Sequence, residues 1–427
     1  MGTGKGDIVR RLAAALALVI AASASLGTQE APIGTRLLQR PDIKAALAAA
    51  RRNEPQVLQE QAALSEIPAP LMKEGPRGAA LRARFEALGL TNVRTDAAGN
   101  VLGDRRGRSL HPHLVLAAHL DTVFPEGTNV KTTREGALIK GPGIADDARG
   151  VAVLLGVIRA LDAGHVSTDG TITFAANVGE EGLGDLRGMK QIFNRTLKGD
   201  IDLFVSIDGS GLDLTNVGVG SHRYRVTFKG PGGHSFGDFG LANPIHALGR
   251  AIAQIAGFQV PSDPKTTFNV GRVGGGTSVN SIPYEAWMEV DMRSVDPVAL
   301  AALDGSFQKA LDRALADENA RWNNRGQLSV VRDLVGDRPA GRTPEDSSIV
   351  RTAIDVTRAL GAPVELGAGS TDANYPMSLH IPAITIGGGG AGRGAHSLAE
   401  TFDSTDSWRG TQRALLLTVA LVTKAGA

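Results

Sequence analysis

Three short runs constrain this chain most: Leu114-Val115-Leu116-Ala117-Ala118, Thr171-Ile172-Thr173-Phe174-Ala175 and Leu203-Phe204-Val205-Ser206-Ile207. Each is nearly continuous in apolar or β-favouring residues and lacks the strict alternation of a strand with one wet face. Helical stretches such as 149–162 lie between them. Strands of this kind need cover on both sides, which predicts an α/β fold: a mainly parallel sheet with helices on both faces. Helices are also expected over 41–64, 71–88, 346–360 and 410–424, with a further strand at Ala383–Ile386.

The pattern changes near residue 217. Tyr224–Phe228 reads as a half-polar strand, followed by a helix at 244–256, strands at 266–273 and 285–291, a helix at 297–316 and a strand at 328–331. The order β-α-β-β-α-β is that of a ferredoxin-like α+β unit. Residues 217–335 therefore read as a lid inserted into a catalytic domain made of 32–216 and 336–427. At 427 residues the chain is long enough for such a division.

Residues 1–31 stand apart. Lys5, Arg10 and Arg11 precede the apolar run Leu12 to Ala22, and Ala22-Ser23-Ala24 offers a small-x-small cleavage site. That three-part plan predicts a secretory signal peptide with a short linker, hence an exported, periplasmic or secreted protein. The run is too short for a spanning helix, and with no cysteine there is no thiol for lipid attachment, so no stable membrane anchor is expected. Lys+Arg 45 against Asp+Glu 44 leaves +1, which gives no sequence-wide basic footprint for nucleic acid.

The polar residues fall in telling places. His119 and Asp121 follow the strand ending at Ala118, Glu180 and Glu181 follow the strand 172–178, and Asp208 follows Ile207. His396 comes after Ile386 and a glycine-rich loop, Gly387 to Gly394. Ligands of open α/β sheets sit outside the carboxyl ends of the strands, so these groups should share one rim. Asp146 lies in the turn Gly141-Pro142-Gly143-Ile144-Ala145-Asp146-Asp147, just before a helix.

Imidazole and carboxylate without thiolate suit Zn²⁺, with Co²⁺ or Mn²⁺ as alternatives. His119, Glu181, Asp208 and His396 supply four terminal groups and Asp146 can bridge, enough for two divalent ions about 3.5–4 Å apart that clamp a nucleophilic water. Glu180 is left free as general base, and Asp121 is placed to hold the His119 imidazole. Taken singly, each piece has an ordinary explanation; the Asp146-Asp147 pair, for example, suits a helix N-cap. The remaining histidines, His111, His113, His165, His222, His246 and His380, lack such context and read as surface or packing residues.

The ordered set His119-Leu120-Asp121-Thr122-Val123, Gly143-Ile144-Ala145-Asp146-Asp147, Gly179-Glu180-Glu181-Gly182, Ser206-Ile207-Asp208-Gly209 and Gly394-Ala395-His396-Ser397 resembles the di-zinc exopeptidase and deacylase family. That family includes glutamate carboxypeptidase, peptidase T, aminoacylase and succinyl-diaminopimelate desuccinylase. The resemblance spans roughly residues 50–425. It implies His119 and Asp208 on one metal, Glu181 and His396 on the other, Asp146 bridging, and a cis bond between Asp146 and Asp147. In the lid, Gly232-Gly233-His234-Ser235 resembles the segment whose histidine reaches the partner subunit's site in a homodimer. Asn280 and Arg293 resemble the family's substrate-binding pair, expected side by side, with the Arg293 guanidinium suited to a substrate carboxylate.

Amide hydrolysis of small peptides is the expected activity, of an exopeptidase acting as a di- or tripeptidase or carboxypeptidase. Asp208, where resembling deacylases tend to carry Glu, and the Asp146-Asp147 doublet favour that reading over an N-acyl-amino-acid deacylase. A non-catalytic peptide-binding paralogue is the remote alternative, disfavoured because no ligand or base is missing.

Overall fold

A computed structural model describes residues 31–423, so the signal-peptide expectation for residues 1–31 falls almost wholly outside the described residues. At its centre stand four adjacent parallel strands in the order Thr171–Asn177, His113–His119, Leu203–Ile207 and Ala383–Ile386. Antiparallel strands extend both edges: Val101–Arg105 and Thr91–Thr95 on one side, Leu214–Gly218 on the other.

Both faces of this sheet are covered, for a reason visible in one strand. Leu114, Leu116 and Ala118 pack with helices Pro41–Arg52, Ala148–Ala163, Ser348–Ala359 and Trp408–Val422. Val115 and Ala117 pack on the other face against Met189, Ile192, Phe193, Ala373 and Met377. Side chains alternate across a strand, so only a continuous apolar run serves two cores at once.

Two helices differ from the sequence reading. The stretch 41–64 is two helices, Pro41–Arg52 and Glu54–Ser65, joined at Asn53. Pro55 has no N–H to donate and is tolerated in a first turn, so it starts a new helix rather than continuing the old one. The helix expected over 71–88 begins at Gly75, because Met72 has a positive φ.

The inserted unit is a four-stranded antiparallel sheet in the order Thr266–Gly275, Glu285–Ser294, Gly220–Lys229, Ser329–Arg338. Helices Pro244–Ala256 and Pro297–Arg321 cover one face, where Val226, Phe228, Met288, Val290 and Phe307 form a separate core. Its last strand runs to Arg338, well past the expected 328–331, because backbone pairing with Gly220–Lys229 continues through the mixed segment 332–338, which carries Arg332, Asp333, Asp337 and Arg338. Among the described residues, no helix is long and apolar enough to cross a membrane.

Candidate metal centre

The four central strands deliver their terminal residues to one rim, as their parallel order requires. His119 is the last residue of its strand and is fully buried. Its Nδ1 donates to the Asp121 carbonyl at 3.1 Å, which turns Nε2 toward the cluster as the nitrogen that would ligate once its proton leaves. That Nε2 lies 3.1 Å from Oδ1 of Asp146 and 3.9 Å from Oδ1 of Asp208. The other Asp146 oxygen, Oδ2, is 3.1 Å from Nε2 of His396, which in turn is 3.0 Å from Oε1 of Glu181. All five expected ligands are thus brought together, with one carboxylate facing a different imidazole from each of its oxygens. The Asp146-Asp147 peptide is cis.

Electrostatics fit a cation here. Burial, helped by Asp146 and Glu180, pushes the Glu181 carboxyl up to about 8. Burial likewise pushes Asp208 up to about 7 in spite of His119. The Asp146 hydrogen bond, with Glu181 beside it, raises His396 to about 9. Burial opposes ionisation of Asp146 too, yet hydrogen bonds from both histidines hold its carboxyl below the usual carboxylate range. Without a cation these carboxylates crowd one another, and one ligand atom each from His119, Asp146 and Glu181 lies within 4.8 Å of the others. Two imidazoles and three carboxylates, with no thiolate, are a donor set for Zn²⁺, Mn²⁺ or Co²⁺.

The loops that carry these groups are pinned by buried side chains. The Asp121 carboxylate was expected to orient the His119 ring; instead it lies 3.9 Å from Nδ1 and leaves that task to its own carbonyl. It accepts the N–H groups of Gly179, Glu180 and Glu181 at 2.7, 3.2 and 2.8 Å, so it shapes the turn bearing both glutamates. Three backbone donors satisfy a fully buried carboxylate better than one distant ring nitrogen would. Asp147 caps helix Ala148–Ala163 by accepting from Gly150, and also accepts from the backbones of His119 and Gly209.

Three further residues escaped the sequence reading. Glu400 accepts the N–H groups of Gly143, Ala145 and Asp146 at 2.8, 2.8 and 3.0 Å and so holds the turn that presents Asp146. Arg338 donates to Oε1 of Glu180 at 3.0 Å and to the Glu180 carbonyl. Asp372 is buried and accepts from Asn177 at 2.7 Å, and burial, with Glu180 nearby, raises its carboxyl well above the usual range. Each acts across a long chain separation, and nothing adjacent in sequence names its partner.

The lid residues are placed differently. His234 and Asn280 are exposed neighbours: Gly233–His234 pairs with Ser281–Ile282, and the Ser235 N–H donates to the Asn280 carbonyl at 2.9 Å. The N–H groups of Phe236 and Gly237 both donate to Nδ1 of His234 at 3.2 Å, so the neutral ring carries its proton on Nε2. Arg293 is not beside Asn280. Gly275, just before the Asn280 loop, pairs with Ala286, whereas Arg293 pairs with Thr267. Seven residues of strand at about 3.3 Å each put the two ends roughly 20 Å apart. Arg293 lies at the end of the sheet nearest the glutamate turn and donates to Asp291 at 2.7 Å. Among the described residues, no hydrogen bond or ion pair joins His234, Asn280 or Arg293 to the five clustered ligands.

Comparison with known proteins gives the family and the fold. The sequence model of peptidase family M20/M25/M40 matches residues 115–419. Carboxypeptidase G2 of a Pseudomonas species is 28% identical over 318 residues, covering 71% of this chain and 74% of the relative. A succinyl-diaminopimelate desuccinylase of Nitrosospira multiformis is 26% identical over 327 residues, covering 71% of this chain and 82% of the relative. The fold also matches the crystal structure of a dinuclear metal-binding M20 peptidase of Bacillus subtilis, at a TM-score of 0.64 and 19% identity, over 88% of this chain and 99% of that one. The family match takes in every strand end that carries a clustered residue, and the chain belongs to peptidase family M20/M25/M40.

Proposed function

We propose that this protein is a metal-dependent exopeptidase that hydrolyses amide bonds in small peptides bearing a free carboxylate. The observation that carries the reading is Asp146, whose two oxygens each face a separate imidazole at 3.1 Å. His119 and Asp208 would hold one divalent ion, His396 and Glu181 the other, and Asp146 both; Zn²⁺ is the leading candidate. Such ions lower the pKa of a water and polarise a scissile carbonyl.

The chain's own groups supply the rest. Glu180 adjoins a ligand without being one, and burial raises its carboxyl above the usual range even beside Arg338. It is placed to accept a proton from the attacking water and return it to the leaving amine. Arg293 keeps its terminal nitrogens for a substrate carboxylate while Asp291 anchors its Nε. His234 offers Nε2–H to a developing oxyanion.

The roughly 20 Å between Arg293 and the His234–Asn280 pair favours a homodimer through residues 217–335, in which a second copy contributes that pair. The lid edge strand Thr266–Gly275 and the exposed side chains Phe236, Val273 and Val279 are available for the contact. Export through the N-terminal leader is part of the same proposal.

A second reading, N-acyl-amino-acid deacylation, is favoured by the similarity to desuccinylases. The protein reconstituted with Zn²⁺, Co²⁺ or Mn²⁺ should be assayed on dipeptides, tripeptides, and N-acetyl and N-succinyl amino acids. Higher kcat/KM on the peptides supports the first reading. Preference for acylated amino acids moves the assignment to the second, and no turnover with metals bound leaves a binding protein.

A further inference from the structure

Resting on the reading of Glu180 as general base, we propose that Arg338 is its positioning residue, so that the inserted sheet holds the catalytic carboxylate in place. Arg338 is the last residue of strand Ser329–Arg338 and pairs in register with Ser221. Its side chain leaves the lid and is almost fully buried against the glutamate turn. One nitrogen, Nη1, donates to Oε1 of Glu180 at 3.0 Å and to Oγ of Ser370 at 3.2 Å; the other, Nη2, donates to the Glu180 carbonyl. A planar fork that grips the side chain and main chain of one residue fixes its backbone and its rotamer together. With Oε1 engaged, Oε2 is the oxygen left for the proton.

Neighbouring contacts carry the same message. The Asp337 N–H donates to Asp185 at 2.6 Å, Lys190 donates to the Asp337 carbonyl at 3.1 Å, and Arg223 donates to the Gly182 carbonyl. The lid sheet thus holds the segment from Glu180 to Lys190 at several points, beginning with the base itself. Arg338 differs from Arg293, whose side chain is 40% exposed and turned to a lid aspartate. Burying a guanidinium is costly without an anion, and among the described residues Glu180 is the carboxylate that pairs with Arg338.

The test uses the metal-loaded enzyme and the variants Arg338→Lys, Arg338→Ala and Glu180→Ala, each checked for metal content and melting temperature. Loss of a supporting residue should lower kcat about 10- to 100-fold. KM should stay within about threefold of wild type, as for an interaction that matters to the chemical step. The loss should be equal on substrates with free and amidated termini, and added guanidinium should restore part of the activity of Arg338→Ala. Arg338→Lys, which keeps the charge but not the fork and is the gentler change to folding, should fall between wild type and Arg338→Ala.

A rise in KM with kcat intact, or a loss confined to free-carboxylate substrates, would make Arg338 a substrate clamp and overturn the proposal. Unchanged kinetics in Arg338→Lys and Arg338→Ala, with Glu180→Ala inactive, would overturn it while leaving the base assignment standing. Full turnover by Glu180→Ala would remove the base assignment and this proposal with it.

Discussion

Nε2 of His396 sits 3.1 Å from Oδ2 of Asp146, a contact that spans 250 positions of the chain. If Asp146 bridges, Asp146→Ala should lose both metal equivalents, whereas His396→Ala should lose mainly one. Activity should fall by more than the roughly 10- to 100-fold typical of an outer supporting residue. Metal analysis of purified variants decides this, and a full metal complement in Asp146→Ala would remove it from the ligand set.

Glu180→Ala should retain its metals and lose turnover by about 10²–10⁴-fold, the usual cost of removing a general base. Parallel loss of metal and activity would instead make Glu180 a ligand.

Stability of the metal-free protein should fall as pH rises from about 4 to 9. Glu181 and Asp208 stand near 8 and 7 against ordinary values of 4.5 and 3.8, and His396 near 9 against 6.5. All three hold protons more tightly folded than unfolded, so the folded state binds more protons across that window and loses stability as they leave. Asp146, held low, acts with the opposite sign but only below about pH 4. Metal uptake should release protons and flatten the profile. Denaturation midpoints at pH 5, 7 and 9, with and without chelator, test the sign; a metal-free protein that gains stability with rising pH would contradict it.

Arg293→Ala should weaken substrates with a free α-carboxylate by about 30-fold to several thousand-fold, the cost of leaving one charge of a desolvated pair alone. Amidated substrates should be spared. Equal losses on both would show that Arg293 serves the lid sheet through Asp291.

Mixing inactive His234→Ala with inactive Glu180→Ala should restore activity if His234 completes a partner's site, because one site of each hybrid dimer keeps both residues. Verified subunit exchange without recovery would place the histidine's role within its own chain, or nowhere.

How far the site could be read in advance depended on the range of the forces involved. His119 and Asp208 were legible because each sits where an apolar strand stops, a local event written in adjacent residues. The helix at Pro244–Ala256 was legible for a similar reason, a capping asparagine followed by proline. Arg338 and Glu400 were not, since their partners are 158 and 254 to 257 residues away and nothing beside them in sequence requires those partners. The role given to Asp121 was read from proximity to His119. The fold instead offered its carboxylate three N–H groups from another strand end. Asn280 and Arg293 share a motif in sequence but not an end of the sheet, because a hairpin places residues close in number far apart along its strands.

Glu400 closing the Asp146 turn has a temporal consequence. A chain leaving the ribosome can complete strand His113–His119 and the Asp146 turn early, yet the carboxylate that locks that turn and the opposing His396 come more than 250 positions later than the first ligands. At roughly 5–20 residues per second, the delay between Asp146 and His396 is about 12–50 seconds. For most of that interval the nascent chain carries four of the five clustered residues and lacks His396, so the second ion's set stays incomplete. Synthesis itself therefore keeps the amide-cleaving centre silent until nearly the whole polypeptide is out.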